Sequence, residues 1–258
     1  MADVLEHILD VHRRAAAADR RPVDALLAEA ASRPAPRGFR AALEAPGLSV
    51  VAEIKRRSPS RGELAPGLVP GVLAKAYAAG GAACLSVLTD AEFFGGSAAD
   101  LAEARAACDL PVLRKDFTVC ERDVCDARLF GADAVLLIVA GLDDRELAAL
   151  HRLAEQLSLA VLVEVHDEWE LDRALDAGAT LVGVNQRDLR TFEIDRTLAE
   201  RVRARVPDGV VTVAESGIRN GADAAGLAAA GYDAILVGES LVTAGDPGAA
   251  LRSLVPSP

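Results

Sequence analysis

Two charged residues interrupt the first strongly apolar run of the sequence. Positions 49–54 have the small and β-branched residues of a strand, and Glu53 and Lys55 stand two positions apart at its end. Because strand side chains alternate between faces, both point to the same side. A carboxylate and an ammonium on a buried face are costly unless they are paired or used. The pair therefore indicates acid–base or binding chemistry, with a surface ion pair at a strand edge as the alternative.

Polar residues also stand where the other predicted strands end. They are Thr89 with Asp90, Arg114 with Lys115 and Asp116, Glu164 with His166, Asn185 with Arg187, Glu215 with Ser216 and Gly217, and Gly238 with Glu239 and Ser240. The runs before them are nearly all apolar. Random surface charge would not keep this phase, so we expect these side chains to share one site.

The choice of basic residues singles out two lysines. Only Lys55, Lys75 and Lys115 are lysine among 28 basic residues, and the rest are arginine. Lysine can give up a proton near neutral pH when its pKa is lowered, whereas arginine cannot. Lys75 falls on a polar helix face, but Lys55 and Lys115 end apolar strands. A transferable proton is therefore expected at one of these two.

Glu164 ends the apolar run Leu-Val-Glu-Val-His and is a candidate acid or base. Burial raises the pKa of a carboxyl group, and a nearby cation lowers it. We expect Lys115 to be that cation and the balance to leave the pKa of Glu164 near the working pH.

The last two strand ends contain small residues that suit an anion. Ser216 with Gly217 and Gly238 with Glu239 each precede a predicted helix, where backbone N–H groups and the helix dipole favour phosphate. Simple turns are the alternative for each.

The histidines and cysteines give no metal signal. We expect His166 to be a helix cap or a surface residue, and His7, His12 and His151 to be ordinary helix residues. The four cysteines form no Cys-x-x-Cys pair and have no histidine at ligand spacing. This usage predicts a mechanism without metal or cofactor, in a reduced cytoplasmic protein.

Strand-like and helix-like segments alternate along the chain. The strand-like runs are 49–54, 84–88, 111–114, 134–138, 160–165, 181–185, 210–214 and 234–237. The helical patterns are 71–79, 98–107, 121–130, 143–157, 168–177, 196–205 and 221–230. Eight such units predict an α/β fold, a (β/α)8 TIM barrel, with an open doubly wound sheet as the alternative. Residues 1–45, including a helical 1–20, are expected to be an N-terminal helical extension of one domain spanning 1–258.

The net charge and the apolar content of the chain restrict the kinds of molecule that it can bind. The chain has 258 residues, 51% of them hydrophobic, and a formal net charge of −11. Such an acidic chain is a poor nucleic-acid binder, although local cations can still hold an anionic small molecule. The sequence also has no signal-peptide pattern and no apolar run long enough to span a membrane. A small-molecule enzyme, as a monomer or weak homodimer, is expected.

Seven motifs are similar to those of the indole-3-glycerol phosphate synthase family. They are Val-Ala-Glu-Ile-Lys-Arg-Arg-Ser-Pro-Ser-Arg-Gly (51–62), Leu-Ser-Val-Leu-Thr-Asp (85–90) with Phe-Phe-Gly-Gly-Ser (93–97), Pro-Val-Leu-Arg-Lys-Asp-Phe (111–117), Leu-Val-Glu-Val-His (162–166), Val-Asn-Gln-Arg-Asp-Leu (184–189), Val-Ala-Glu-Ser-Gly-Ile (213–218) and Leu-Val-Gly-Glu-Ser-Leu (236–241). The resemblance extends from the N-terminal helix to the last strand.

The resemblance implies a reaction and a set of site residues. The reaction closes the indole ring of 1-(2-carboxyphenylamino)-1-deoxyribulose 5-phosphate, with loss of CO2 and water, in tryptophan biosynthesis. By motif position Lys115 is the general acid and Glu164 the acid/base for dehydration. Glu53 and Asn185 orient the reacting groups, and Lys55 serves the carboxylate or phosphate end. The substrate-binding positions implied are Ser58, Pro59, Phe94, Phe117, Leu136, Arg187, Glu215, Ser216, Gly217, Gly238 and Glu239.

The sequence departs from the family pattern at two places, and two other functions are alternatives. Residues 118–123 and Gln186 differ from the usual family residues, and these differences concern loop packing and substrate affinity rather than the reaction class. A sister phosphosugar barrel such as phosphoribosylanthranilate isomerase would need a cysteine base where Glu53 and Lys55 stand. A catalytically silent barrel subunit would not keep Lys115 and Glu164.

Overall fold

Eight parallel strands close into a barrel in the computed structural model, which describes residues 4–188 and 193–254. In chain order the strands are β1 (Ser49–Ile54), β4 (Cys84–Leu88), β5 (Val112–Lys115), β6 (Ala134–Ile138), β7 (Ala160–Val165), β8 (Leu181–Asn185), β9 (Val211–Glu215) and β10 (Ala234–Val237). Each pairs with its neighbour along the chain, and β10 pairs with β1. The predicted (β/α)8 TIM barrel is confirmed, and the open-sheet alternative is wrong.

Helices surround the barrel and extend it at both chain ends. Those between barrel strands are α4 (Pro70–Gly80), α5 (Ala98–Ala107), α6 (Glu121–Phe130), α7 (Asp144–Gln156), α8 (Glu168–Asp176), α9 (Leu198–Arg203) and α10 (Gly221–Ala229). Before β1 come α1 (Val4–Ala18), α2 (Val23–Ser32) and α3 (Phe39–Leu43), and after β10 come α11 (Glu239–Val242) and α12 (Pro247–Leu254). A small antiparallel hairpin, β2 (Arg57–Ser58) with β3 (Gly62–Glu63), follows β1.

The period of two along each strand separates two cores. Alternate residues such as Val163 and Val165 pack outward against the helices, while Leu162 belongs to an inner cluster filling the barrel. Phe39 and Leu43 of α3 join this inner cluster, at the end where the strands begin. At the other end the inward positions change from apolar to polar, so the same alternation that builds the core also aims the polar side chains at one point.

The described residues include no helix long and apolar enough to cross a bilayer. All four cysteines, Cys84, Cys108, Cys120 and Cys125, are free thiols.

Candidate active site

The predicted site residues come together around one cavity of about 330 Å³ at the C-terminal end of the barrel. The catalytic and substrate-binding positions that the family resemblance implied all line it: Glu53, Lys55, Ser58, Pro59, Phe94, Lys115, Phe117, Leu136, Glu164, Asn185, Arg187, Glu215, Ser216, Gly217, Gly238 and Glu239. Four other strand-end residues that were expected to share the site do not line the cavity: Thr89, Asp90, Arg114 and His166. A cavity of this size suits a small molecule.

Lys115 stands at the centre of a group of carboxylates. Its Nζ donates to Oε2 of Glu164 at 2.9 Å and lies 3.5 Å from Oε2 of Glu215. Burial lowers the pKa of Lys115, but the charges of Glu164, Glu215 and Glu53 outweigh it, so the net pKa lies above its usual range. Lys115 is therefore held as an ammonium, and its pKa is raised rather than lowered as was expected of a lysine with a transferable proton.

Glu164 differs from its expected protonation behaviour. Burial raises its pKa, but the Lys115 charge, His166 and the hydrogen bond from Asn185 Nδ2 at 3.1 Å lower it more. The net pKa lies below the usual carboxyl range, so the expectation of a value near the working pH is wrong. Two hydrogen-bond donors, Lys115 Nζ and Asn185 Nδ2, and the nearby ring of His166 hold Glu164 as an anion, which suits a base.

Glu215 holds a proton more tightly than an ordinary carboxyl group. Its side chain is fully enclosed, and its Oε1 has no hydrogen-bond partner among the described residues. Burial, together with the negative charge of Glu164, raises the pKa of Glu215 to about 8, despite the nearby Lys115. Gly183 on β8 leaves the space for this carboxyl group, because a Cβ there would collide with Glu215 Oε1.

Glu53 and Lys55 form a pair inside the barrel mouth. Lys55 Nζ donates to Glu53 Oε1 at 2.5 Å, and the Glu53 side chain is only 6% exposed. The alternative of a surface ion pair is therefore wrong. A Cβ at Gly238 would collide with Glu53 Oε1, so this glycine leaves the space that the Glu53 carboxylate occupies.

A chain of hydrogen bonds joins Glu164 to the loop after β9. Ser216 Oγ lies 2.7 Å from Asn185 Oδ1, and Gln186 Nε2 donates to the Ser216 carbonyl at 2.9 Å. Ser216 and Gly217 both have positive φ, 65° and 75°, which turns the backbone sharply at the cavity wall. Gln186, one of the two departures from the family pattern, thus supports this loop.

Both small-residue turns, Ser216 with Gly217 and Gly238 with Glu239, were expected to lie at the start of a helix. Only the second does. Gly238 is the N-cap of α11, a helix of four residues. Ser216 and Gly217 lie several residues before α10, whose N-cap is Asn220. An anion at Ser216 and Gly217 would therefore meet turn N–H groups rather than a helix end.

Sequence reasoning missed the contribution of α1 to the site. Leu5 and Ile8 of this helix line the cavity, and His12 Nε2 lies 3.0 Å from Asp90 Oδ2. The His12 ring also lies 5.3 Å from the Phe117 ring. The view of His12 as an ordinary helix residue is therefore wrong, because it fastens α1 to the barrel. The apolar stripe of α1 was the available signal, since such a stripe must be covered.

The spacing of histidines and cysteines in the sequence predicted no cluster of metal ligands. The structure nevertheless brings three possible ligands together, namely His12, Asp90 and Asp116. One ligand atom from each lies within 4.8 Å of the others. However, Asp90 Oδ1 accepts from the N–H groups of Phe93 and Phe94, and Asp116 Oδ2 accepts from Arg114 and Thr89. The oxygens are already engaged in protein contacts, so the cluster acts as a structural junction.

His166 is neither a surface residue nor a cap. Its side chain is 14% exposed, and its Nε2 lies 3.3 Å from Glu164 Oε1. Asp167 caps α8 instead, by accepting from the Glu170 N–H. Burial lowers the pKa of His166, but Glu164 and Glu170 raise it to about 10.

Comparison with known proteins shows the family to which the chain belongs. A family model described as indole-3-glycerol phosphate synthase matches residues 5–254. Indole-3-glycerol phosphate synthase 2 of Streptomyces coelicolor is 57% identical over 226 residues, covering 88% of each chain. Indole-3-glycerol phosphate synthase of Mycobacteroides abscessus is 50% identical over 254 residues, covering 98% of this chain and 93% of the relative.

A solved structure independently matches the fold. Thiamine phosphate pyrophosphorylase from Pyrococcus furiosus superposes with a TM-score of 0.60 at 18% identity, covering 80% of this chain and 93% of that one. At this identity the likeness concerns the barrel alone.

Proposed function

Because the chain belongs to the indole-3-glycerol phosphate synthase family and is an enzyme of that kind, we propose how its cavity carries out ring closure, decarboxylation and dehydration. The observation that carries the proposal is the position of Lys115. Its ammonium lies at the inner end of the cavity, within 3.5 Å of two carboxyl groups on different strands. Proton transfers in both directions are then available at one point.

Lys115 is the general acid for ring closure. As the ring carbon that bears the carboxylate attacks the substrate carbonyl, Nζ gives its proton to the carbonyl oxygen, which becomes a hydroxyl group. CO2 then leaves and the aromatic ring is restored. In the dehydration, Glu164, held as an anion by Asn185 and Lys115, accepts a proton from the carbon beside the anilino nitrogen as the C–O bond breaks, and the hydroxyl group takes a proton from an acid of the site and leaves as water. Glu215, which keeps its proton near neutral pH, is a second proton source beside Lys115.

The remaining residues orient the two ends of the substrate. Phe94 and Phe117, whose ring centroids are 6.2 Å apart, form with Pro59 and Leu136 the apolar walls for the carboxyphenyl ring. Glu53 and Asn185 orient the anilino and hydroxyl groups. Lys55 and Arg187 supply positive charge for the anionic groups of the substrate. Ser58 and Glu239 complete the wall near the hairpin that follows β1.

The phosphate group binds between the ends of β9 and β10. Ser216, Gly217 and Gly238 lie together on the cavity wall, and the positive-φ turn exposes backbone N–H groups to an anion. A crystal soaked in sulfate should show the ion at this turn. An ordered sulfate found only beside Arg56 and Arg57 would contradict the placement.

Replacing Lys115 tests the acid role. Lys115→Arg keeps the positive charge but removes the transferable proton, so kcat should fall by roughly 10² or more. The measurement is indole fluorescence after adding the carboxyphenylamino substrate. Lys75→Arg, on the exposed side of α4, is the matched control because it makes the same substitution outside the cavity. Near-normal turnover of the Lys115→Arg protein would remove Lys115 from the acid role.

The chain as a whole is proposed to work in the cytoplasm as one barrel domain, with residues 1–45 as its extension, as a monomer or weak homodimer. The four free thiols fit a reducing compartment. The large apolar residues exposed in the described part of the chain, Val69, Val72, Trp169 and Ile194, include no broad patch of consecutive positions.

A further inference from the structure

His166 lies directly behind Glu164 and does not line the substrate cavity. Its Nε2 is 3.3 Å from Glu164 Oε1, and its Nδ1 is 3.0 Å from Glu170 Oε2. The Nε2 contact is close enough for an ion pair, although it is not aligned as a hydrogen bond. The imidazole therefore bridges a carboxylate of the site and a carboxylate of α8.

This bridge requires a doubly protonated ring. A neutral imidazole carries one N–H, so one of its nitrogens would direct a lone pair at a carboxylate oxygen. With a carboxylate at each nitrogen, only the imidazolium satisfies both contacts.

The partner on α8 is itself fixed in place. Glu170 Oε2 accepts from the backbone N–H of His166 at 2.7 Å, and Asp167 caps the same helix turn. Glu170 therefore cannot turn away from the ring without losing its hydrogen bond from the His166 backbone N–H. His166 is held from behind while its other nitrogen faces Glu164.

The charged groups around Glu164 come from several strands. Lys115 on β5 faces its Oε2, and Glu215 on β9 faces Lys115 from the other side. Glu53, paired with Lys55, is the next carboxylate along the wall and acts on Lys115 and Glu215. Asn185 is neutral, and Glu170 opposes His166 from α8. Within the described residues, the two cations in contact with Glu164 are thus Lys115 and His166.

We propose that His166 is a positioning residue that, as an imidazolium, fixes Oε1 of Glu164 and keeps this carboxylate anionic while Lys115 is without its proton. The inference rests on the base role proposed for Glu164. When Lys115 Nζ passes its proton to the substrate oxygen, it becomes a neutral amine. Glu164 then loses its strongest cation and would take up a proton too early. The imidazolium, which the substrate does not touch, preserves one positive charge at Glu164 through that interval.

The first test is the pH profile of His166→Gln. This variant removes the charge but keeps an amide of similar reach. We expect kcat at pH 7 to fall roughly tenfold with KM changed less than about twofold, because His166 does not line the cavity. The acid limb of kcat should move to higher pH by about one unit or more, because losing a cation raises the pKa of the base. A purely structural role would lower kcat without moving the limb, and an unmoved limb overturns the proposal.

The matched control is His151→Gln. His151 is also a buried histidine beside a glutamate, with its Nδ1 3.5 Å from Glu155 Oε2, but it lies on α7 away from the cavity. Its pH profile should match that of the native enzyme. If both variants shift the limb equally, the effect belongs to general destabilisation and the proposal fails.

A second measurement decides the matter even if His166→Gln does not fold. The chain has four histidines, so its histidine-labelled nitrogen NMR spectrum can be followed site by site. Coupling between two titrating groups is reciprocal, so Glu164→Gln should lower the pKa of His166 by about one unit or more. An unchanged His166 titration overturns the proposal. Normal turnover of the Glu164→Gln enzyme would instead refute the base role on which it rests, and the two failures are thereby distinguished.

Discussion

Glu164 and Glu215 contact the same ammonium, yet their proton affinities move in opposite directions. Glu164 lies beside Lys115, Asn185 and His166. Together they lower its pKa by more than burial raises it. Glu215 has Lys115 3.5 Å from one oxygen, and its other oxygen has no hydrogen-bond partner in the part of the chain that the structure describes, so burial dominates its pKa. Environments that separate the pKa values of two carboxyl groups also separate their roles. This contrast supports Glu164 as the base and Glu215 as a carboxyl group that keeps its proton.

Glu215→Gln should change how stability depends on pH. In the native protein the pKa of Glu215 is raised to about 8, above its unfolded value. The folded state then binds more protons than the unfolded state between about pH 4.5 and 8, so native stability falls as pH rises. The Glu215→Gln protein has no titrating group at this position, so its stability does not show this decrease with rising pH. Its stability relative to the native protein should therefore increase by up to about 1.4 kcal/mol per pH unit across that window, and then level off.

Urea unfolding at several pH values measures this difference. Glu29→Gln, an exposed position on α2, is the control and should show a constant difference. A Glu215→Gln difference that is independent of pH would mean that Glu215 is ionised at neutral pH.

The contacts of two histidines could not be predicted from the sequence. The residues at the strand ends could be predicted because apolar alternation fixes where their side chains point. His12 could not, because its partner Asp90 is 78 positions away and belongs to a different element. His166 was misjudged for a different reason. It follows β7, and no local pattern tells whether its ring turns outward to solvent or back toward Glu164.

At the scale of elements, the strands were largely predictable and the small additions were not. Six barrel strands have the predicted bounds, but β5 and β9 each begin and end one residue later. Both end in a charged residue, Lys115 or Glu215, which a hydropathy pattern assigns to the loop. These residues continue their strands because their charges meet inside the barrel. The hairpin of β2 with β3, the helix α2 and the last helix α12 carry weaker patterns and were not predicted, whereas α11 begins after Gly238 as expected.

The helix α1 is a pH-dependent part of the cavity wall. Burial lowers the pKa of His12, but the hydrogen bond with Asp90 and the charge of Asp116 raise it above 6.5 overall. The pKa of Asp90 is lowered, because His12 and two backbone N–H groups outweigh its burial. The stabilisation from His12 is present below pH 6.5 and is lost as pH rises through its folded pKa. That from Asp90 is present above pH 3.8 and is lost in acid.

His12→Gln should therefore loosen α1 most between these limits. We expect a loss of about 1.5–3 kcal/mol near pH 5.5, the usual scale for a hydrogen bond to a charged group, and a smaller loss at pH 8.5. Hydrogen exchange of the α1 amides reports the loosening. Glu6→Gln, at an exposed position on the same helix, should leave exchange unchanged at both pH values. Equal protection of α1 in the native protein and the His12→Gln protein at pH 5.5 would contradict the assignment.

At the scale of the whole molecule, the charge of the chain opposes the charge of its substrate. The protein carries a formal charge of −11, and the substrate has a phosphate and a carboxylate. At physiological salt, charges act over about 8 Å, so remote acidic residues are screened from the cavity mouth. The mouth itself has exposed arginines: Arg61 faces Glu239 at 3.2 Å, and Arg219 faces Asp223 at 3.1 Å. Both line the cavity and set the local field that the substrate meets.

Removing these two arginines should weaken capture of the substrate without altering the chemistry. The double variant Arg61→Gln with Arg219→Gln should lower kcat/KM roughly tenfold at low salt, with kcat nearly unchanged, because steering acts on association. It should also flatten the decline of kcat/KM with added salt. The control is Arg40→Gln with Arg205→Gln, which changes net charge by the same amount at positions outside the cavity; Arg40 follows Phe39 at the opposite end of the barrel. A matching loss in the control would assign the effect to the total charge of the molecule. Unchanged kcat/KM in the mouth variant would mean that Lys55, Lys115 and Arg187 inside the cavity attract the substrate without help from the rim.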